Sequence, residues 1–314
     1  MSHDHAKGFS EERVGRKLAV STAITVVFIG IELGAGIYAN SLALIGDALH
    51  NVTDALALLL ALFALRVGRK APTSTKTYGY QRAGILAAFV NAALLVALTL
   101  YIFIEAWRRV RSPQPVDSFL MIVTSIVALS MNGGITLWLR PDGKHDLGIR
   151  SAMLHMLGDA LSSAGIIVGA ILIRITGMTY FDPLISVLIG LLILWSSWGI
   201  LKETVNLLLE GTPSGIDPEA VTRDLAAEPG IYGIHHLHIW ALTPSRPALS
   251  CHILLGDVSL KSTGETLNRV SAMLAERYRI EHTTIQFEHA GCPVDDPYCL
   301  ESEPMALAEP DRNR

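Results

Sequence analysis

Long unbroken runs of apolar residues fill the first two thirds of the chain, and shorter alternating ones fill the last third. A helix needs ~20 mainly apolar residues to cross a bilayer. Six segments meet that length: 18–39, 42–67, 84–107, 119–139, 147–176 and 183–207. Several are longer than a bilayer needs, so their ends project or tilt. After residue 210 the period changes. Segments 218–227 and 263–278 carry amphipathic helical spacing, while 234–242, 248–255 and 282–288 are rich in the β-branched and apolar residues of strands. The order helix–strand–strand–helix–strand predicts a small α+β domain with its helices on one sheet face. The expected organisation is therefore an N-terminal segment at 1–16, an all-α six-helix transmembrane domain at 17–208, an α+β (α-β-β-α-β) domain at 209–290, and a Pro-rich, acidic, disordered tail at 291–314.

Composition agrees with this division. Half of the 314 residues are hydrophobic, too many for one soluble core, and charge is sparse between about residues 17 and 205. The net charge of −4 is small and no long basic run is present, which argues against a nucleic-acid partner. Arg13, Arg16 and Lys17 precede the first apolar run. That run exceeds the ~7–15 residues of a signal-peptide core and carries Glu32, so it reads as a retained membrane helix.

Lys and Arg set the orientation. Arg13, Arg16, Lys17, Arg66, Arg69, Lys70, Lys76, Arg82, Arg140, Lys144, Arg150 and Lys202 fall on one side, against Arg108, Arg109, Arg111 and Arg174 on the other. This puts both termini in the cytosol. The cluster at Arg108, Arg109 and Arg111 runs against the rule and reads as an interfacial anchor with outward-snorkelling side chains. Cys251, Cys292 and Cys299 all lie in the polar last third, where a cytosolic location makes a disulfide framework unexpected.

Ionisable residues deep in a membrane helix are costly and functional by default. The second helix holds Asp47, His50 and Asp54, and the fifth holds His155 and Asp159. Both contain the string His-x-x-x-Asp-Ala-Leu, at His50–Leu56 and again at His155–Leu161. Residues i and i+4 share a helix face, so each pair can grip one ion from one side. Two such helices supply two nitrogens and two oxygens, the tetrahedral set that zinc favours. Two carboxylates also offset a divalent charge. Without the ion those carboxylates recruit protons, so metal and proton compete, which is the basis of an antiporter. A lone membrane His often only hydrogen-bonds a neighbouring helix, but two identical pairs are hard to explain by packing. Asp47 fits a fifth ligand, a proton acceptor, or a cap or cross-link between helices. Glu32, Asn91 and Asn132 read as inter-helix hydrogen bonders.

The run Ser41-Leu42-Ala43-Leu44-Ile45-Gly46-Asp47-Ala48-Leu49-His50-Asn51-Val52-Thr53-Asp54 resembles the cation diffusion facilitator family, zinc type. So do Thr77-Tyr78-Gly79-Tyr80-Gln81-Arg82-Ala83, Arg150 through Asp159, His235 through Leu242, and Thr284-Ile285-Gln286-Phe287-Glu288. The resemblance implies a homodimer in the lipid bilayer with a metallochaperone-like cytosolic domain. It implies proton-coupled efflux of a divalent metal from the cytosol by alternating access, with His50, Asp54, His155 and Asp159 as the transport site. Zn2+ is the expected substrate and regulatory ligand, and Cd2+ or Co2+ share these ligands. A second metal site that some members carry after helix two is not expected, because Arg69–Tyr80 holds no His, Asp or Glu. The short 140–146 loop, with only His145, favours a bacterial form and hence an inner-membrane location.

Most histidines outside the membrane pairs lie in the α+β domain. Strand alternation points His236 and His238 one way and His235 the other. By resemblance, His235, His252 and Glu288 occupy positions of regulatory metal binding at the dimer interface. His282, with Gln286 or a tail cysteine, completes the set, and the plain alternative is a solvated His-rich surface. Cys292 and Cys299 are candidate soft ligands, and His3 and His5 weak ones at the N-terminus. Two other classes compete with transport. An intramembrane metallohydrolase needs an open water position and a general base, which four protein ligands leave no room for. A membrane metal sensor would close its cytosolic domain on metal without any flux.

Overall fold

The computed structural model describes residues 20, 23–139, 147–256 and 260–289. Among the described residues, five helices are long and apolar enough to cross a membrane: α2 (Leu42–Gly68), α3 (Ala83–Arg111), α4 (Ser118–Leu139), α5 (Leu147–Thr176) and α6 (Phe181–Leu208). A shorter apolar helix, α1 (Ala23–Ala39), precedes them. Its expected beginning near residue 18 lies outside the described residues, as do His3, His5, His145, Cys292, Cys299 and the 291–314 tail. After α6 come α7 (Pro218–Ala226), β1 (Ile231–Thr243), β2 (Arg246–Leu255), α8 (Leu260–Tyr278) and β3 (His282–Glu288). The all-α membrane domain followed by an α-β-β-α-β domain is the architecture expected from the sequence pattern.

Two compact units divide the chain. One takes residues up to 63 together with 87–201, and the other takes 64–86 together with those from 202 onward. In the first unit a single apolar cluster joins five helices through Ala43 and Leu44 of α2, Leu95 of α3, Met121 of α4, Ile166 and Ala170 of α5, and Ile189 and Ile193 of α6. Small residues let these helices approach closely. A Cβ built at Gly190 would lie 2.7 Å from the Phe103 ring, and one at Gly169 would lie 2.8 Å from Ile185 Cγ1.

One end of this bundle is tied by a buried polar network. Asn40 turns the chain between α1 and α2 with φ of 51°, a conformation Asn tolerates well. Asp182, fully buried in the first turn of α6, accepts from Ser41 Oγ at 2.6 Å, Leu42 N at 2.7 Å and Ala43 N at 3.2 Å. It therefore caps α2, satisfying backbone donors that the first turn of a helix leaves unpaired. Arg109 closes the network: it donates to Asn40 O at 2.6 Å and Asn40 Oδ1 at 3.0 Å, bonds Glu105 at 3.3 Å, and lies 3.5 Å from Asp182. The arginine cluster is thus not purely the outward anchor expected. Arg111 does stack on Trp107, 4.8 Å from its ring, but Arg109 is 11% exposed and folds inward, because a buried Asp182 needs a counter-charge.

In the second unit β1 pairs antiparallel with β2, and β2 pairs parallel with β3. Asp217 caps α7 by accepting from Glu219 N, and Pro218 occupies the first turn, where its missing N–H costs nothing. Val221 and Leu225 of α7, with Val270 and Leu274 of α8, pack on Leu237, Ile239, Leu249 and Ile253 of the sheet. Cys251 belongs to this core, where burial pushes its thiol up to about 12, and it packs there as a small apolar side chain.

Candidate metal centres

His50 and Asp54 stand one turn apart on α2, and His155 and Asp159 one turn apart on α5. Asp54 Oδ2 lies 3.5 Å from His50 Nε2 and 3.3 Å from His155 Nε2, and His155 Nε2 lies 3.6 Å from Asp159 Oδ2. Zinc–ligand bonds of about 2.0–2.1 Å place tetrahedral ligands roughly 3.3 Å from one another, so three of the six ligand–ligand edges are near the required length. The two imidazoles meet edge-on, with centroids 6.3 Å apart. His50 Nδ1 and Asp54 Oδ2 are buried and make no hydrogen bond. Buried polar atoms rarely go unpaired in folded proteins, and the Asp54 oxygen, which faces the Nε2 atoms of both histidines, suits a divalent cation. A cavity of about 380 Å³ reaches His50, His155 and Asp159 between α5 and α6, with Ser162 and Ser196 also on its wall. Asp47 and Glu32 do not line it. Both are buried, with Asn51 Nδ2 donating to Glu32 Oε2 at 3.1 Å.

The second constellation sits where the three strands lie side by side. His235 of β1 is opposite His252 of β2, which is opposite Gln286 of β3. His235 Nε2 is 3.0 Å from Glu288 Oε2, and His252 Nδ1 is 2.9 Å from Glu288 Oε1. Gln286 Nε2 donates to Glu288 Oε1 at 2.8 Å. Burial alone pushes the Glu288 carboxyl up. The hydrogen bonds from His235 and Gln286 and the neighbouring imidazoles outweigh it and hold Glu288 below its usual range.

Two expectations change here. Strict alternation separated His236 from His235, but β1 bulges between His235 and His238, with His236 at φ of 50°. The extra residue turns the His236 ring toward His235 and His252, at centroid distances of 5.2 and 4.9 Å. His235, His236 and His252 offer ligand atoms all within 4.8 Å of one another. His282 does not join them. Its register partner is Ala248, four positions from the Gln286 level, which is about 13 Å along a strand, and its ring packs edge-on against Tyr78 at 5.6 Å. The signal for His236 was the His-His-x-His run itself; the bulge that makes use of it has no sequence mark.

Comparison with known proteins covers both parts of the chain. A model described as the cation efflux transmembrane domain matches residues 18–209, and one described as the cation efflux protein cytoplasmic domain matches 213–290. The metal cation efflux system protein CzcD of Cupriavidus metallidurans is 39% identical over 295 residues, covering 94% of this chain and 92% of its own. The zinc transporter ZitB of Escherichia coli is 38% identical over 302 residues, covering 94% and 95%. A Bacillus subtilis protein named as a cadmium, cobalt and zinc/H(+)-K(+) antiporter is 37% identical over 291 residues, covering 92% of each.

Proposed function

We infer the activity from one premise: the chain belongs to the cation efflux family, the cation diffusion facilitators, and is an integral membrane transporter of metal cations. Its substrate is Zn2+, moved out of the cytosol in exchange for protons. The observation that carries this reading is the convergence of His50, Asp54, His155 and Asp159, whose Nε2 and Oδ2 atoms lie 3.3, 3.5 and 3.6 Å apart. Two imidazoles and two carboxylates match zinc in number, geometry and charge. The same groups take protons once the metal leaves, so each ion clears the site for the other. The cavity between α5 and α6 gives the ion a way to the site past Ser162 and Ser196, along walls otherwise built from leucine and isoleucine.

Residues 17–208 act as the transport domain and 209–290 as a regulatory and dimerising domain, with both termini cytosolic in a bacterial inner membrane. In the regulatory domain His235, His236, His252 and Glu288 hold zinc, drawing the domains of two protomers together. A wider range including Cd2+ and Co2+ is favoured by one further observation: a relative of 37% identity is named for all three metals.

The test is zinc flux into proteoliposomes across an imposed pH gradient. Wild-type protein carries zinc against the proton flow, and Asp54→Ala and Asp159→Ala each lower the rate by at least about tenfold. Unchanged flux in both variants refutes the site; flux indifferent to the pH gradient refutes the coupling.

A further inference from the structure

The second unit holds a cavity that neither metal centre uses. Its volume is about 960 Å³, near the top of the ~300–1,000 Å³ range of small-molecule sites. Three stretches build most of its wall: the loop from α2 into α3, the end of α6 with the residues after it, and β1. Ile85 of α3, Leu207 of α6 and Ala241 of β1 are buried in one apolar cluster that fastens these stretches together. The loop itself is ordered. Thr73 and Lys76 exchange backbone hydrogen bonds at 3.0 and 3.1 Å, and Gly79 turns the chain at φ of 68°.

The wall combines a spare cation, an unpaired acceptor and an apolar side. Lys76 Nζ stands over the Tyr80 ring at 5.6 Å and makes no ion pair among the described residues. Arg82 is paired with Glu210 at 3.1 Å, so Lys76 carries the wall's uncompensated charge, and His238 adds a further polar group. Gln81 Oε1 is buried without a hydrogen-bond partner, and a buried acceptor calls for a donor. Leu86, Leu208 and Leu242 supply the apolar side. The cavity borders the start of α3 and the end of α6, where two membrane helices terminate. Tyr78, Tyr80 and Trp240 on its wall are of the kind that gathers at a membrane–water boundary.

We propose that this cavity binds the headgroup of an anionic glycerophospholipid that bears hydroxyl groups, of the phosphatidylglycerol type. Basic pockets at the ends of membrane helices suit such headgroups. The phosphodiester accepts from Lys76, a headgroup hydroxyl donates to Gln81 Oε1, and the acyl chains leave past Leu86 and Leu208. The leucines decide between a lipid and a soluble phosphate ester, because only the lipid brings apolar surface to cover them. Phosphatidylcholine fits poorly: its quaternary ammonium offers Gln81 no hydrogen and sets a second positive charge beside Lys76. A bound lipid spans the α2–α3 loop and β1, so its occupancy holds that loop on the sheet. The site stands apart from both metal centres and does not depend on their reading.

Native mass spectrometry of the detergent-purified full-length protein, titrated with dioleoyl phosphatidylglycerol, tests this. The wild type retains a single such lipid per chain in a saturable step. It holds it more tightly than phosphatidylcholine, and more tightly than phosphatidylmethanol, which has the same charge and no headgroup hydroxyl. Lys76→Glu weakens the step by about tenfold or more, the loss of one charge-assisted hydrogen bond. Arg69→Glu reverses a charge of the same loop that lies off the cavity wall, and leaves the step unchanged. Gln81→Leu makes phosphatidylglycerol and phosphatidylmethanol equal. A wild type with no saturable step overturns the proposal whether or not the variants fold. So does an equal loss from Arg69→Glu and Lys76→Glu, which would mark general attraction of a basic loop to anionic lipid. Glycerol 1-phosphate binding as tightly as the lipid overturns the lipid as the source.

Discussion

Asp182→Ala is the substitution expected to damage the membrane unit most without touching the metal centre. The side chain is fully buried and accepts from Ser41 Oγ, Leu42 N and Ala43 N while facing Arg109 at 3.5 Å. Removing it deletes the cap of α2 and strands the Arg109 charge. Loss of a cap alone costs about 1 kcal/mol, and breaking a buried pair by removing one partner costs about 3–5 kcal/mol. Arg109 retains Asn40 and Glu105, so the lower part of that range applies to the charge and about 3–5 kcal/mol is the whole effect. For a chain of this size each kcal/mol lowers Tm by about 2–4 °C, which gives a fall of about 6–20 °C. The assay is thermal unfolding of the detergent-solubilised full-length protein, followed by tryptophan fluorescence or loss of the monodisperse peak. Asp182→Asn, which keeps an acceptor but loses the charge, falls between wild type and Asp182→Ala. Adding Arg109→Ala to Asp182→Ala recovers part of the loss, because the stranded charge goes too. A Tm change under about 3 °C for Asp182→Ala, or strict additivity with Arg109→Ala, refutes the argument.

Other outcomes follow from the same geometry. His236→Ala weakens zinc binding at the cytosolic domain by about tenfold or more while His282→Ala leaves it unchanged, read by titration calorimetry in an Asp54→Ala background; equal effects would contradict the strand register. Gly190→Val drives a side chain into Phe103 and costs about 1–3 kcal/mol, seen as a lower Tm, whereas Gly199→Ala, with open space at its Cβ, does not. Glu288 has a folded-state pKa held below its ordinary value, so its stabilising contribution is fully present above the ordinary carboxylate range and is lost as pH falls through the depressed value. The Tm gap between metal-free wild type and Glu288→Gln is therefore steady from pH 7 to about 5 and closes only below the ordinary Glu value of about 4.3; a gap already closed at pH 6 would show that the imidazoles, not Glu288, set it.

Long apolar runs made the membrane helices legible, since only a span of that length and composition requires a bilayer. The ends of α2 and α5 fall within a residue of the expected ones for the same reason: Leu42 and Leu147 open the apolar runs. The His-x-x-x-Asp pairs were legible because a helix makes i and i+4 neighbours whatever the tertiary context. Asp182 was not. It lies 141 positions from Ser41, and nothing local distinguishes a capping aspartate in another helix from an ordinary first-turn acid. Arg109 was misplaced with it, because its partner could not be seen. In the α+β domain the strands were found by their composition, but β1 is longer than the expected 234–242 at both ends. Residue alternation does not carry across a bulge, so the His236 ring turns toward His235 and His252. His282 failed for a different reason. Which residues lie abreast in a three-stranded sheet depends on register, and register is a pairing property of two strands rather than of either sequence.

The bulge in β1 has a further consequence for how this strand tolerates change. Between His235 and His238 it spends three steps where β2 spends two, from His252 to Ser250. The half of β1 that carries ligands is thereby out of phase with the half that carries Ile239 and Ala241 into the core. Substitutions at position 236 alter the donor set without disturbing those buried side chains, so ligand identity can drift while the fold is held. Deleting one residue there has a different character: β1 and β2 then pair two against two, the flanking side chains keep their faces, and the ring that the bulge turns toward His235 and His252 is lost.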